Sequence, residues 1–269
     1  MRIGFVGAGN MAGAIITGVV EGGLVAAGEI GAHDPDARKV KELAERAGIV
    51  ALAGNEEVVA TSDTVVLAVK PQYVPGVLEQ IGGLIVAKRP LVVSIAAGLT
   101  LKHLDGWLGP NVPVVRVMPN INAMVGQSMS AVTGNAVATD SQIDSVLRLF
   151  GGIGRAIRLE ERLFPAFGAV AGASPAWVFL FVDALARGGL AAGMTKQEAR
   201  EAAVQAVLGS AALLQQTGEH PWQLIDKVSS PGGTTVAGMN ALEDRGFSAA
   251  VVAAVAASVR RDGELGVSR

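Results

Sequence analysis

The chain has 269 residues, half of them hydrophobic and 17% charged, with a formal net charge of −2. That length accommodates two domains or one large one, and the composition supplies a buried core. The charge balance argues against a nucleic-acid partner, which demands basic patches. The absence of cysteine excludes disulfides, thiolate nucleophiles and cysteine-type zinc sites. A reducing cytoplasm is the expected compartment, and the N-terminus lacks the charged region, apolar run and cleavage site of a signal peptide.

The first half alternates strand-like and helix-like segments. Arg2–Val6 is a short apolar run ending in glycines, and Asn10–Glu21 then places Met11, Ile15 and Val19 on one helical stripe. Glu29–His33 reads as a second strand and Ala37–Ala47 as a charged amphipathic helix. Thr64–Val69 and Leu91–Ile95 are continuous apolar runs, as expected of strands buried on both faces. Tyr73–Ile85 reads as a helix between them, and Val112–Met118 and Met129–Thr133 as further strands. The alternation predicts an α/β fold with a doubly wound parallel sheet.

After about Leu159 the strand signal stops, and an all-helical domain is expected. Leu163 to Val182 carries no charge and imitates a membrane span. Gly168, Gly172 and Pro175 interrupt it, and Ser174-Pro175 reads as an N-cap followed by proline at the first helical position. Two buried helices, not a span, are therefore expected. Further helices follow at Thr195–Gln216, Thr234–Arg245 and Ser248–Leu265, with a capping box from Thr195 and Glu198 and an N-cap at Ser248. Ala249–Val259 is apolar almost all round. About 110 residues cannot bury that much apolar surface alone, so dimerisation through these helices is expected.

Two glycine-rich segments carry chemistry. Gly7-Ala8-Gly9-Asn10-Met11-Ala12 fits G-x-G-x-x-A, follows a predicted strand and opens a predicted helix. Gly7 permits the tight turn, Gly9 leaves room for a pyrophosphate, and Ala12 lets the helix pack on the sheet. The helix N-terminus then offers unpaired N–H groups to phosphates. An ordinary strand–helix turn is the competing reading. Asp34, at the end of the second strand, suits a ribose 2′-OH and hence NAD; Arg38 and Lys39 close by suit NADP; and Asp34 also fits a turn before Pro35. The second segment, Ser229-Ser230-Pro231-Gly232-Gly233-Thr234-Thr235, forms a nest of donors at a helix start that suits a substrate carboxylate. Simple helix capping by the threonines is the alternative. His33, His103 and His220 are scattered and sit in no nucleophile, metal or base motif. A reductase without an evident acid needs a substrate that accepts hydride readily, such as a protonated imine.

The landmarks IGFVGAGNMA (Ile3–Ala12), AVKPQ (Ala68–Gln72), VSIAAG (Val93–Gly98), RVMPN (Arg116–Asn120), GASPAW (Gly172–Trp177) and HPWQLIDKVSSPGGTTVAGMNALE (His220–Glu243) resemble pyrroline-5-carboxylate reductases over the whole chain. The resemblance implies a Rossmann domain over residues 1–159 and a helical substrate-binding and dimerisation domain over 160–269. It implies reduction of 1-pyrroline-5-carboxylate to L-proline, the last step of proline biosynthesis, with NADPH or NADH and no metal. A cytoplasmic homodimer, or a ring of dimers, acting on a small molecule away from nucleic acid and membrane is implied. By motif, Gly7, Ala8, Gly9, Asn10 and Met11 would hold the pyrophosphate, and Asp34 and Asn55 would lie near the adenine ribose. Ala68, Val69, Lys70, Pro71, Ala96 and Ala97 would line the cofactor toward the nicotinamide, with Asn120 nearby. Ser230, Gly232, Gly233, Thr234 and Thr235 would bind substrate, with Thr235 on the ring nitrogen in the catalytic role. Ile121-Asn122 stands where the family usually has Thr-Pro, and Trp177 where it commonly has tyrosine. A β-hydroxyacid reductase of the same plan needs a lysine acid early in the helical domain, and none lies between Arg155 and Thr195. A non-catalytic dinucleotide sensor would not need the SSPGGTT segment.

Overall fold

A computed structural model describes residues 2–267. The described residues form one eight-stranded sheet. Its strands are β1 (Ile3–Val6), β2 (Ile30–His33), β3 (Val50–Ala51), β4 (Thr64–Leu67), β5 (Leu91–Ser94), β6 (Val114–Met118), β7 (Ser128–Gly134) and β8 (Gly154–Arg158). Their order is β3-β2-β1-β4-β5-β6-β7-β8. Ile3 stands opposite Ile30 on one side and Thr64 on the other, so the winding reverses between β1 and β4. Ligands of such sheets bind at that reversal, outside the carboxyl ends of the strands.

The sheet is wound from both sides. Helices α1 (Asn10–Glu21), α2 (Ala37–Ala47) and α6 (Asp140–Gly151) cover one face. There Phe5, Ile15, Ile16, Val19, Leu43 and Phe150 pack together. Helices α3 (Asn55–Thr61), α4 (Val74–Lys88) and α5 (Leu101–Leu108) cover the other. There Val58, Leu67, Leu78, Ile81 and Leu104 pack together. Each such side chain contributes about 1.5–3 kcal/mol when fully buried. This double cover explains why β1, β4 and β5 are buried at every position, with Thr64 and Ser94 their only polar side chains.

The expected parallel sheet holds from β3 through β6, but β7 runs antiparallel to β6. Only residues 119–127 lie between them, and these include a short 3-10 segment, Ile121–Val125. That link is too short for the crossover that a parallel pair requires. α6 restores the parallel direction for β8.

The remaining helices are α7 (Phe164–Phe167), α8 (Ser174–Ala191), α9 (Lys196–Thr217), α10 (Pro221–Val228), α11 (Thr234–Asp244) and α12 (Phe247–Val267). Ser174 does not cap α8 as expected. α7 leads through a π-helical segment, Gly168–Ala173, straight into α8. Pro175 is the cause: it has no N–H for the carbonyl of Ala171, four residues earlier. The Asn120 side-chain amide donates to that carbonyl instead, at 2.8 Å. Ser248 also fails as a cap. It lies inside α12 and its hydroxyl donates to Glu243 Oε1 at 2.6 Å. The Thr195–Glu198 capping box of α9 is present.

Nor are these helices buried. Glu161–Ala191 is long and apolar enough to cross a membrane by length and composition, yet 11% of its most apolar window is buried. Phe179 and Leu180 are 62% and 64% exposed.

The chain divides into two compact units. One comprises the chain up to Gly172 and from Val259 onward; the other is Ala173–Ser258. This division by packing falls later in the chain than the expected change of domain at residues 159/160. Residues 161–172 belong with the sheet because Arg116 pairs with Glu161 at 2.8 Å and lies 4.5 Å above the Phe164 ring. Met118 also packs where side chains at Gly168 and Gly172 would stand.

Candidate active site

β1 through β6 run in one direction, so the turns that follow them gather at one edge of the sheet unit. That edge collects Gly7–Met11 after β1, Asp34 after β2, Asn55 beyond β3, Ala68–Pro71 after β4, Ala96–Ala97 after β5 and Asn120 after β6. The two turns flanking the reversal touch. Gly7 has φ +103°, and a Cβ on it would lie 2.7 Å from the Ala68 carbonyl oxygen. Glycine is thus required there by the protein itself.

Gly9 differs. It is the N-cap of α1, with extended backbone and no side-chain capping bond, and no atom lies within 4 Å of its would-be Cβ. The fold does not need a glycine at that position. A ligand laid over the helix start does, because the first-turn N–H groups of α1 have no helical acceptor and the first turn carries no acid. These features fit a dinucleotide pyrophosphate. A groove of about 780 Å³ runs from Ala8–Asn10 along α1 to Gly22, past Lys39 and Arg46; Asp34, Ala68–Pro71, Ala96 and Ala97 do not line it.

Asp34 is fixed beside the loop. Its Oδ2 accepts the Ala8 N–H at 3.0 Å, and its Oδ1 accepts the Asp36 N–H at 3.0 Å with Lys39 Nζ at 3.6 Å. Asp36 caps α2 and holds the Arg38 guanidinium, which keeps its carboxyl below the usual range. Asn55 opens α3 and donates to Gln80 at 3.0 Å. Asn120 is 6% exposed. Besides its bond to Ala171, its Oδ1 accepts the Met129 N–H at 3.3 Å. Its amide therefore ties β6, β7 and the π-helical segment together.

In the second unit, Ser230–Gly233 forms a tight turn closed by the Gly233 N–H on the Ser230 carbonyl at 2.9 Å. Pro231 precedes Gly232, whose φ is +67°, the pattern of a type II turn. Gly233 is the N-cap of α11 and has no side-chain capping bond. A Cβ on it would lie 2.3 Å from Ser230 Oγ. The threonines do not cap the helix. Thr234 and Thr235 are its first two residues, Thr235 half-buried and Thr234 exposed, with no acid in the first turn. The start of α11 is thus open to an anion.

Comparison with known proteins decides the family. Residues 161–265 match the family model described as pyrroline-5-carboxylate reductase dimerisation, and residues 2–98 match one described as NADP oxidoreductase coenzyme F420-dependent. A pyrroline-5-carboxylate reductase of Glycine max is 42% identical over 265 residues, covering 98% of this chain and 95% of the relative. The chain belongs to the pyrroline-5-carboxylate reductase family. The solved structure of such a reductase from Coxiella burnetii superposes with a TM-score of 0.94 at 30% identity, covering 98% of each chain. The structure of Plasmodium falciparum pyrroline carboxylate reductase with NADP bound gives 0.87 at 26% identity, covering 99% of this chain and 98% of that one. The family model of the dimerisation region starts at residue 161, ahead of the packing boundary at Gly172.

Three features of the site escaped the sequence reading. Asp36 occupies Arg38, a pairing that the spacing of two residues and the turn before α2 made available. Ser229 Oγ is buried and unpartnered among the described residues, whereas Ser230 is exposed. The partner of Asn120 is a backbone carbonyl 51 residues away, which no local pattern announces.

Proposed function

We propose that this chain reduces 1-pyrroline-5-carboxylate to L-proline with NADH or NADPH, completing proline biosynthesis. The observation that carries the reading is a pair of uncapped glycine helix starts, one in each unit, within a family named for this reaction. The start of α1 suits the pyrophosphate, with Gly7–Met11 as its cradle. Asp34 and Asn55 lie on the side of the adenine ribose, and Ala68–Pro71, Ala96 and Ala97 on the side of the nicotinamide. Asn120 contributes by holding its strand end in place. The bound cofactor supplies a hydride to the imine carbon.

The chain's own part is binding and orientation. The N–H groups at the start of α11, with Ser230, Gly232, Gly233 and Thr234, receive the substrate carboxylate. The Thr235 hydroxyl hydrogen-bonds the ring nitrogen. A protonated C=N bond that gains a hydride at carbon becomes the secondary amine of proline, so the chain needs to deliver no further proton in that step. Orientation and electrostatic fit then supply most of the rate.

The family's dimerisation region includes the bare apolar faces of α8 and α9, which supports covering them with a second copy. A homodimer, or a ring of dimers, in the cytoplasm is the assembly we infer. Light scattering at micromolar concentration should report at least a dimer; a monomer would contradict this. The activity is tested by incubating the chain with 1-pyrroline-5-carboxylate and each reduced cofactor while following reduced-nicotinamide absorbance and proline formation. Cofactor binding without proline formation would leave a dinucleotide sensor instead.

A further inference from the structure

We propose that this chain selects NADH over NADPH, and that Asp34, together with the pairing of the two nearby cations to carboxylates, makes the selection. The inference rests on the dinucleotide reading of the α1 loop. A dinucleotide whose pyrophosphate lies on α1 brings its adenine ribose to the end of β2. Asp34 is the first residue past that end. Its carboxylate is 14% exposed and both oxygens are engaged, one by the Ala8 N–H and one by the Asp36 N–H. It cannot turn away without leaving two backbone donors unmatched.

A free 2′-OH donates to such a carboxylate. A 2′-phosphate carries a charge of about −1.5 to −2 and only acceptor oxygens, so it meets a fixed like charge. A site for 2′-phosphate requires a cation free to answer it, commonly an arginine close by. Arg38 is in the right stretch of chain, but its Nε and Nη2 lie 3.1 and 3.2 Å from the Asp36 carboxylate. Lys39 lies 3.6 Å from Asp34 itself. The four side chains sum to zero charge, and each cation already has an anion. Using Lys39 for phosphate would strip Asp34 of its counter-charge and deepen the repulsion.

The test is equilibrium binding, read by the fluorescence of each reduced cofactor and by competition with 5′-AMP and 2′,5′-ADP. The native chain should bind NADH at least about ten-fold more tightly than NADPH, and 5′-AMP more tightly than 2′,5′-ADP, as expected of a like-charge contact. Asp34→Asn keeps an acceptor for the Ala8 N–H and removes the charge, and should move the NADH/NADPH affinity ratio about ten-fold toward NADPH. Asp36→Ala leaves Asp34 in place and frees Arg38, and should tighten NADPH with little change for NADH. NADPH binding as tightly as NADH to the native chain overturns the proposal, as does a ratio that neither substitution moves. If neither cofactor binds the folded native chain, the dinucleotide reading fails and the selection fails with it.

Discussion

Gly7 and Gly9 belong to one motif, yet the structure assigns their missing side chains to different causes. Replacing Gly7 by alanine forces φ +103° on a residue with a Cβ and sets that Cβ 2.7 Å from the Ala68 carbonyl oxygen. Backbone strain of this kind costs about 1–3 kcal/mol. Each kcal/mol lowers Tm by roughly 2–4 °C at this size, so a loss of several degrees is expected. Replacing Gly9 by serine meets no atom within 4 Å. At an N-cap position, serine satisfies a first-turn donor of α1 and is worth a few tenths of a kcal/mol over glycine. Tm should hold or rise slightly. The same hydroxyl would take up an N–H group meant for phosphate and stand in the pyrophosphate's space. Losing one hydrogen bond to a charged group costs about 1.5–3 kcal/mol, or roughly 10- to 150-fold in Kd. Calorimetry and cofactor fluorescence measure the two quantities on the same samples. Equal losses of Tm in the two variants, or native affinity in Gly9→Ser, would refute the division.

Thr235→Ala should lower kcat for pyrroline-5-carboxylate while the Kd of the reduced cofactor stays near native; a collapse in cofactor affinity would misplace the residue. Gly233→Ala, which sets a Cβ 2.3 Å from Ser230 Oγ, should raise KM for substrate without changing cofactor Kd. Glu161→Ala should cost about 1.5–3 kcal/mol in denaturant unfolding, because it strands the 9% exposed Arg116 side chain and the Leu101 N–H that both bond its Oε1. The Glu198 carboxyl is held below the usual carboxylate range, first by the Thr195 hydroxyl and then by the Thr195 N–H. A depressed acid stabilises the fold above its unfolded pKa and loses that effect as pH falls through the folded value. Thr195→Ala should therefore return the Glu198 titration, followed by NMR, toward its ordinary value.

What the sequence made legible follows burial. β4 and β5 are almost wholly apolar and buried at every position because helices cover both faces, and α1 shows its stripe because only one side meets the sheet. β3 has two residues, both exposed, and β8 reads GRAIR with three of five positions exposed. Neither leaves a hydrophobic pattern to find. α6 was findable from Thr139 and Gln142, which form a capping box identical in logic to the one at Thr195. The run from Leu163 to Val182 misled because composition cannot distinguish a helix buried in its own chain from one whose apolar face stays exposed there. Pro175 was read as a helix start, although a carbonyl freed by proline can be satisfied from elsewhere. Here the donor is Asn120, placed by β6 and out of reach of any local reading.

The helix starts themselves separate the site from the scaffold. Asp36, Thr100, Thr139, Thr195 and His220 each cap a helix with a side chain, on α2, α5, α6, α9 and α10. Such caps satisfy orphan N–H groups and stabilise the helix by about 1 kcal/mol. Among the helices whose caps are described, three open instead on a glycine without a capping bond: α1 on Gly9, α3 on Gly54 and α11 on Gly233. α3 answers its own dipole with Glu56 and Glu57 in the first turn. α1 and α11 have no acid there and leave their donors open. A serine at residue 9 would cap α1 and remove what a phosphate needs, so stability and binding draw on the same N–H groups there. Residue 233 differs, because there the Ser230 hydroxyl already excludes a side chain and the fold itself calls for glycine. Glycine at both places leaves two helix starts open to anions, as the proposed binding of a dinucleotide and a substrate carboxylate requires.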